Sequence, residues 1–142
     1  NIQIKKSLDP NLAQLTIDPE QIRRVFINLF ENATDAIDEG GIIQITTKIL
    51  EGKKWVRIEF SDNGAGISSS DREKLFLPHF TTKKRGTGLG LAIVNRIIID
   101  HNGAIKVQDN YPKGTTFVID LPYSQTTLKT DKTLPKSFSG IS

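Results

Sequence analysis

The chain has 142 residues, of which 37% are hydrophobic and 25% are charged, so it is long enough to bury one core without a covalent staple. It contains no cysteine, which excludes disulfides, thiolate metal sites and cysteine nucleophiles. The apolar runs extend over only a few residues, and we therefore expect a chain that does not insert in a membrane. The chain begins at Asn1 and lacks methionine, and we interpret it as a piece of a longer protein.

The net charge of +3 invites a nucleic-acid interpretation, but the distribution of the charge argues against it. The segment after Tyr123 contains three lysines and one aspartate, so most of the excess positive charge lies there. A nucleic-acid surface needs clustered Lys and Arg with stacking aromatic residues beside them. The two Tyr and one Trp are scattered along the chain, and we expect no nucleic-acid partner.

The N-terminal part of the chain predicts two short strands and a helix. Alternating polar and apolar residues at 2–5 and 15–18 lie on either side of a turn signal at 9–11, which predicts one strand on each side. An Asp-Pro-Glu sequence at 18–20 is typical of a helix start, because Asp caps free N–H groups and Pro suits the first helical position. The helix is predicted to run to about Asp38.

The remaining sequence predicts four strands, a polar loop and a second long helix. Residues 61–87 are rich in Gly, Ser, Asp, Thr and Lys, and we interpret them as a loop with one short helix at 71–76. A helix is predicted over 88–102, where an Asn-Gly pair ends it. The predicted strands lie at residues 42–50, 55–60, 104–109 and 115–121. This order of elements predicts an α+β fold with helices on one face of a sheet.

Composition divides the chain into a folded part and a tail. From Ser124 onward the residues are mostly Ser, Thr, Lys and Pro, which favours a flexible segment that packs little. We therefore expect one domain at 1–123 and a flexible tail at 124–142.

The first helix carries a polar arc of functional interest. At 100° per residue this arc lies opposite an apolar, core-facing one, and it consists of Arg24, Asn28, Glu31, Asn32 and Asp35. Such an arc is most often a solvated face, but two Asn in mid-helix are poor helix formers. Asn28 and Asn32 lie one turn apart, and their amides suit a hard cation such as Mg²⁺ with its waters and phosphates.

A second candidate site follows the predicted strand at 55–60. Its sequence, Asp-Asn-Gly-Ala-Gly-Ile at 62–67, contains an Asn-Gly pair that is also typical of a hairpin turn. Alternation does not resume after Gly66, however, and two glycines one residue apart let a backbone approach a ligand closely. Asp62, at the end of a buried strand, can accept a hydrogen bond from an exocyclic amine and so distinguish adenine from guanine.

A third candidate site is the glycine-rich segment at 86–91, directly before the second long helix. Backbone N–H groups at such a loop and helix start form an anion site. The spacing matches neither the dinucleotide fingerprint nor a Walker loop. The basic run that includes Lys83 is either a solvated charge run or a ligand of phosphate oxygens. His79 and His101 are interpreted as structural or surface residues.

Taken together, these segments resemble the sequence boxes of sensor histidine kinases. Asn-Leu-Phe-Glu-Asn-Ala at 28–33 resembles the N box, and the segment at 62–67 looks like the G1 box. Residues 75–83 and 86–94 are similar to the F box and the G2 box. Gly-Thr-Thr-Phe at 114–117 resembles the closing strand, and the order and spacing of all five segments match.

The resemblance implies the Bergerat ATP-binding fold, a two-layer α/β sandwich in which a mixed sheet of about five strands is covered on one face by three helices. It also implies ATP and Mg²⁺ as cofactors. Asn32 would ligate Mg²⁺, and Asn28 would help to hold the phosphates and the waters of the metal. Asp62 would bind the adenine amine, supported by Thr115. The residues assigned to nucleotide binding are Asn28, Asn32, Asp35, Asp62, Gly64, Gly66, Ile67, Phe80, Thr81, Thr82, Lys83, Gly86, Thr87, Gly88, Leu89, Gly90, Leu91 and Thr115.

The resemblance further implies phosphoryl transfer, with Asn28, Glu31 and Lys83 as candidate catalytic residues. Related ATPases place a Glu at the position of Asn28, and an amide cannot act as a general base near neutral pH. We therefore expect little hydrolysis, with Glu31 as the nearby carboxylate. At the position after the N box where many of these kinases carry Lys, this chain has Asp35.

The sequence thus predicts the catalytic domain of a two-component sensor histidine kinase, of a type similar to the nitrogen-regulation kinases at residues 21–25. It would transfer the γ-phosphoryl of ATP to a histidine on a separate dimerisation domain of the same parent protein, since no phosphoacceptor is recognised in this chain. The further partner would be a response-regulator receiver domain. We expect a monomeric, cytoplasmic domain whose parent protein is anchored in the inner membrane. The alternatives are an ATP-hydrolysing or serine-kinase relative and a nucleotide-binding pseudo-kinase.

Overall fold

A computed structural model describes residues 1–12, 15–52, 54–80 and 90–123. These ranges contain five strands and three helices. The elements in chain order are β1 Gln3–Ser7, α1 Pro19–Ala36, β2 Ile42–Ile49, β3 Trp55–Asp62, α2 Ser69–Arg72, α3 Gly90–Asp100, β4 Ala104–Asp109 and β5 Thr115–Pro122.

The five strands form one sheet in the order β1-β2-β3-β5-β4. β1 pairs with β2 in parallel, and the three other neighbouring pairs are antiparallel. The sheet is therefore mixed, and the predicted α+β class with about five strands is confirmed.

Helix α1 begins where its sequence places a cap. The carboxylate of Asp18 accepts hydrogen bonds from the backbone N–H groups of Glu20 and Gln21 at 3.1 and 3.3 Å, and Pro19 occupies the first turn. These bonds satisfy N–H groups that have no partner inside a helix. The buried side chains of α1 recur every three or four residues, at Ile22, Val25, Leu29 and Ala33. α1 therefore lies along the sheet on one apolar stripe.

Strand β3 supplies the centre of the core. Its side chains alternate between buried and less buried, and Val56, Ile58, Phe60 and Asp62 face the helices. The ring of Phe60 lies between two rings of α1, with centroid distances of 6.4 Å to Phe26 and 4.9 Å to Phe30. α1 and α3 thus cover one face of the sheet, and the last residue of the buried row is a carboxylate.

The other face of the sheet carries polar pairs across neighbouring strands. The guanidinium of Arg57 contacts both carboxylate oxygens of Asp120 at 2.8 and 2.9 Å. Ser61 and Thr116 share a hydrogen bond of 2.8 Å four residues further along the same strand pair. Arg57 and Asp120 are partly exposed whereas Thr116 is 5% exposed, so this face of the sheet is only partly in contact with water.

The structure corrects the prediction of a strand at 15–18. These residues form no strand, although Leu15 and Ile17 are buried, 6% and 8% exposed. Their alternation reflects two side chains that enter the core from an extended segment before α1. The short helix predicted at 71–76 lies instead at Ser69–Arg72, where Ser68 caps it through the backbone N–H of Asp71.

The other predicted elements agree with the structure to within about two residues, and the tail at 124–142 lies outside the described residues. Across the described ranges, none of the helices combines the length and the hydropathy that a membrane crossing requires.

Candidate functional site

One end of the site lies where the polar arc of α1 meets the start of α3. The side chain of Asn28 is half-buried, and its Nδ2 donates a hydrogen bond to the backbone carbonyl of Gly90 at 3.3 Å. A Cβ added to Gly90 would lie 3.7 Å from Asn28 Oδ1, so the two groups are already in close contact. Asn32 is half-buried one turn further along α1. Asn28 therefore lies beside the first turn of α3, and Asn32 lies one helical turn away from it on α1.

The other end of the site is the carboxylate of Asp62. Asp62 is 4% exposed, and its Oδ1 accepts a hydrogen bond from the backbone N–H of Gly64 at 2.8 Å. Burial raises the pKa of this carboxyl group, while hydrogen bonds from the backbone N–H groups of Gly64 and Thr115 act in the opposite direction. Asp62 is opposite Thr115 in the β3–β5 register, and Thr115 is 4% exposed. A buried acceptor with fixed direction can read a donor group on a ligand.

The glycines after Asp62 allow the loop that follows β3 to pack closely against Ala36 and Gly114. A Cβ on Gly64 would lie 2.6 Å from the carbonyl oxygen of Ala36, and the N–H of Ala65 donates to that same oxygen at 2.9 Å. Gly66 has φ +83° and lies beside Gly114. Gly64 therefore packs the loop against the end of α1 and Gly66 packs it against Gly114, a structural role that the spacing alone did not reveal.

Three further predicted residues border the same region. Ile67, Phe80 and Leu91 are half-buried and pack against the core cluster. Phe76, in the segment that resembles the F box, packs on Phe117 at a centroid distance of 6.5 Å. The apolar side chains on both sides of the 81–89 segment are thus attached to the core.

The remaining predicted residues divide into two groups. Glu31 and Asp35 lie on α1 with exposed side chains, away from the buried stripe. The others lie outside the described residues, and their roles stay predictions: Thr81, Thr82, Lys83, Gly86, Thr87, Gly88 and Leu89.

Two asparagines were missed by the sequence reasoning. Asn63 Oδ1 accepts a hydrogen bond from the N–H of Ile42 at 2.8 Å, which ties the loop to β2. Asn110 Nδ2 donates to the carbonyl of Asp62 at 2.8 Å. Asn at the edge of a turn commonly bonds nearby backbone, so the turn after β4 was the signal available for Asn110.

The described residues contain no group of three or more His, Cys, Asp or Glu placed to hold a metal ion. A cation at this site would therefore depend on amide oxygens, waters and ligand oxygens, a donor set that suits Mg²⁺. Asn28 and Asn32 supply such amides on one face of α1.

A family model described as "Histidine kinase-, DNA gyrase B-, and HSP90-like ATPase" matches residues 17–125. The chain belongs to this ATPase family. Among curated proteins it is similar to the sensor histidine kinase ZraS of Escherichia coli K12, with 38% identity over 125 residues, 88% of this chain and 26% of ZraS. It is also 38% identical over 125 residues to sporulation kinase E of Bacillus subtilis 168, covering 88% of this chain and 17% of that kinase.

Among solved structures, the chain is similar to the catalytic domain of histidine kinase ThkA, with 36% identity and a TM-score of 0.76 over 86% of this chain and 80% of that one. The predicted recognition of a sensor-kinase ATP-binding catalytic domain is confirmed, and this identification is favoured over the alternatives. As a member of the ATPase family the chain is an ATP-binding domain. It spans about a quarter or less of the length of these curated relatives.

Proposed function

We propose that the chain binds ATP with Mg²⁺ and transfers the γ-phosphoryl group to a histidine on a separate domain of its parent protein. The observation that carries the proposal is the pairing of two half-buried amides on α1 with a buried carboxylate at the end of β3, within a histidine-kinase-like ATPase domain. Asn28 and the Gly64 contact at Ala36 are eight residues apart on α1, about 12 Å along its axis. An adenine, a ribose and three phosphates can bridge that distance.

The adenine end of the proposed site is Asp62. Its carboxylate would accept a hydrogen bond from the exocyclic amine of adenine, and the N–H groups that already bond it hold it in place. Gly64 and Gly66 would pass under the base, Ile67 and Phe80 would border it, and Thr115 would complete the adenine-side hydrogen bonds. A guanine has a carbonyl at the same position, which a carboxylate repels.

The phosphate end of the proposed site is the N-terminal side of α3 and the polar arc of α1. Asn32 would ligate Mg²⁺, which neutralises charge on the phosphates when it is bound. Asn28 would orient the phosphates, and its bond to Gly90 supports its position. Lys83, with the 86–91 segment and the neighbouring Thr81 and Thr82, would complete the phosphate contacts. Asp35 would belong to the outer part of this end.

The chemistry follows from these positions. A histidine nitrogen of the partner domain would form a bond to the γ-phosphorus while the bond from that phosphorus to the β–γ bridging oxygen breaks, releasing ADP. Positioning and charge stabilisation account for most of such a transfer. The amide of Asn28 cannot take a proton from water, so we expect slow hydrolysis. Glu31 is the carboxylate that would support any residual turnover.

The partners in this proposal are a His-bearing dimerisation domain of the same parent and a response-regulator receiver domain. The support is a structure of histidine kinase ThkA in complex with response regulator protein TrrA. This chain is 34% identical to that kinase with a TM-score of 0.72, and it covers 35% of the kinase chain.

We propose a monomeric domain at 1–123 that acts in the cytoplasm, with a parent protein that is anchored in the inner membrane. We also propose the nitrogen-regulation-like subtype, supported by the sequence at 21–25.

Calorimetry with a non-hydrolysable ATP analogue tests nucleotide binding. The full chain should bind it in the presence of Mg²⁺, and Asp62→Asn should weaken binding at least about tenfold, since a charge-assisted hydrogen bond is lost. Exposed Asp38→Asn is the matched control. Equal binding by the wild type and Asp62→Asn would exclude Asp62 as the adenine ligand.

Labelled phosphate tests the transfer. The chain, mixed with a separate helical hairpin that carries a histidine followed by Glu or Asp, should label that histidine when Mg²⁺ and ATP are present. Steady ATP hydrolysis without labelling would favour the ATPase alternative, and binding without either reaction would favour a pseudo-kinase.

A further inference from the structure

The turn between β4 and β5, residues 110–114, is hydrogen-bonded to the end of β3. Asn110 is half-buried, and its Nδ2 donates a hydrogen bond of 2.8 Å to the backbone carbonyl of Asp62. Its Oδ1 accepts a bond of 3.0 Å from the N–H of Tyr111, and its own N–H donates to the carbonyl of Gly114 at 3.0 Å. Both ends of the amide are engaged, so its orientation is fixed.

Asp62 is the last β3 residue paired with β5, since the register ends at the pair Asp62 and Thr115. Beyond a last pair a strand tends to fray, because its next carbonyl and N–H groups lack ladder partners. The amide of Asn110 bonds the Asp62 carbonyl at this point. It therefore restrains the backbone from which the Asp62 carboxylate projects.

The approach of the turn to Asp62 is unusually close. Gly114 has φ +115°, and a Cβ there would lie 1.9 Å from the carbonyl oxygen of Asp62. Only glycine allows this contact. The close approach brings Asn110 within hydrogen-bonding reach of a strand that is 48 residues earlier in the chain.

We infer that Asn110 is a positioning residue that orients Asp62 and thereby sets the preference of the site for a purine with a 6-amino group. The inference rests on the proposed adenine contact of Asp62. Asn110 acts through the Asp62 backbone and does not touch the base. Because a hydrogen bond depends steeply on angle, a freed carboxylate loses most of its contact with the amine while its charge stays in place.

The test compares two ligands on the full chain. One is a non-hydrolysable ATP analogue, and the other is the same analogue with hydrogen in place of the 6-amino group. The wild type should bind the first at least tenfold more tightly, because a site built to bond an amine rejects a ligand that lacks it, by roughly tenfold or more. Asn110→Ala should reduce this ratio by roughly fivefold, corresponding to one hydrogen bond, and should leave the second affinity unchanged.

Two further variants separate positioning from general stability. Asn110→Asp keeps the shape and the acceptor for Tyr111 but loses the donor to Asp62, and it should reduce the ratio as Asn110→Ala does. Asp109→Asn removes the ion pair of Arg72 with Asp109, the last residue of β4 directly before the turn, and it should leave the ratio unchanged. In an Asp62→Asn background, Asn110→Ala should cause no further loss.

The outcomes discriminate among the possibilities. Equal losses for both ligands in the Asn110 variants, or no loss in either, would overturn the positioning role. A wild type that binds both ligands equally would overturn the Asp62 contact and this inference with it. A wild type that discriminates, together with variants that discriminate equally well, would overturn the inference alone.

Discussion

The imidazole of His101 joins the end of α3 to the residue that caps α1. Its Nε2 accepts a hydrogen bond of 3.0 Å from the backbone N–H of Asp18, and its Nδ1 donates to the carbonyl of Ile97 at 2.8 Å. At the start of α3, Gly90 accepts a hydrogen bond from Asn28, which lies near the middle of α1. α3 is therefore tied at both of its ends to α1 or to the residue that caps α1.

His101→Ala should lower the free energy of unfolding by about 1 kcal/mol, because the hydrogen bonds of His101 with Asp18 and Ile97 are lost and the Asp18 N–H is left to water. Urea unfolding measures this loss. His79→Gln, in an exposed loop position, is the control and should change the value by less than about 0.5 kcal/mol. Equal effects of the two substitutions would contradict the role of the tie.

Asp62→Asn should stabilise the protein without ligand at neutral pH. Burial raises the pKa of Asp62 from the ordinary value of 3.8, so the folded state favours the protonated form. The contribution of the Asp62 carboxyl group to stability is complete below pH 3.8 and is lost as the pH rises through the higher pKa that this group has in the folded state.

Urea unfolding of the wild type and Asp62→Asn across this range measures the difference. The advantage of the variant should grow as the pH rises from about 3.8 towards neutrality. Exposed Asp38→Asn should show no such trend. A difference that is flat with pH would indicate that the carboxylate is not desolvated.

Gly114→Ala should cost more than about 3 kcal/mol of stability, because the new Cβ overlaps the Asp62 carbonyl and the backbone is also strained. Gly52→Ala provides the matched control. Gly52 has φ +89° but open space around it, so its substitution should cost only the backbone term of about 1–2 kcal/mol. Thermal or urea unfolding compares the two, and equal costs would mean that the turn can retreat from β3.

The Arg57–Asp120 pair should contribute about 1 kcal/mol in a double-mutant cycle with Arg57→Gln and Asp120→Asn. Its geometry is bidentate, and both side chains are about three-quarters covered, 26% and 23% exposed. The Lys48–Glu59 pair, at 4.0 Å with Lys48 56% exposed, should give a coupling near zero. Similar couplings for both pairs would contradict this ranking.

Local signals made the helices and most strands predictable. α1 was predicted to within two residues at its end because its cap, its proline and its apolar stripe all lie within the element. The segment at 15–18 was predicted as a strand because burial of Leu15 and Ile17 produces the same alternation as a strand. A periodicity records which side chains are buried and carries no information about whether the backbone finds a ladder partner.

Residues of the candidate site were predictable where the residue type and its spacing along the chain indicate a binding role directly. Asn28, Asn32 and Asp62 could be selected from residue type and spacing. The contacts of Asn110 with Asp62 and of His101 with Asp18 connect residues 48 and 83 positions apart, and no local pattern encodes such a pairing. The Asn110 contact arises only once the sheet order has placed β4, β5 and β3 side by side, and the His101 contact arises only once α1 and α3 have packed together.

The β4–β5 turn has a practical consequence for protein engineering. Tyr111 at its tip is 82% exposed, and an exposed turn of this kind is ordinarily chosen for the insertion of a tag or a fluorescent reporter. Because Asn110 and Gly114 both contact the Asp62 carbonyl, a fusion inserted between them would disturb the proposed adenine end of the site. The turn at Gly52, with open space around it, is the surface where an insertion leaves that end untouched.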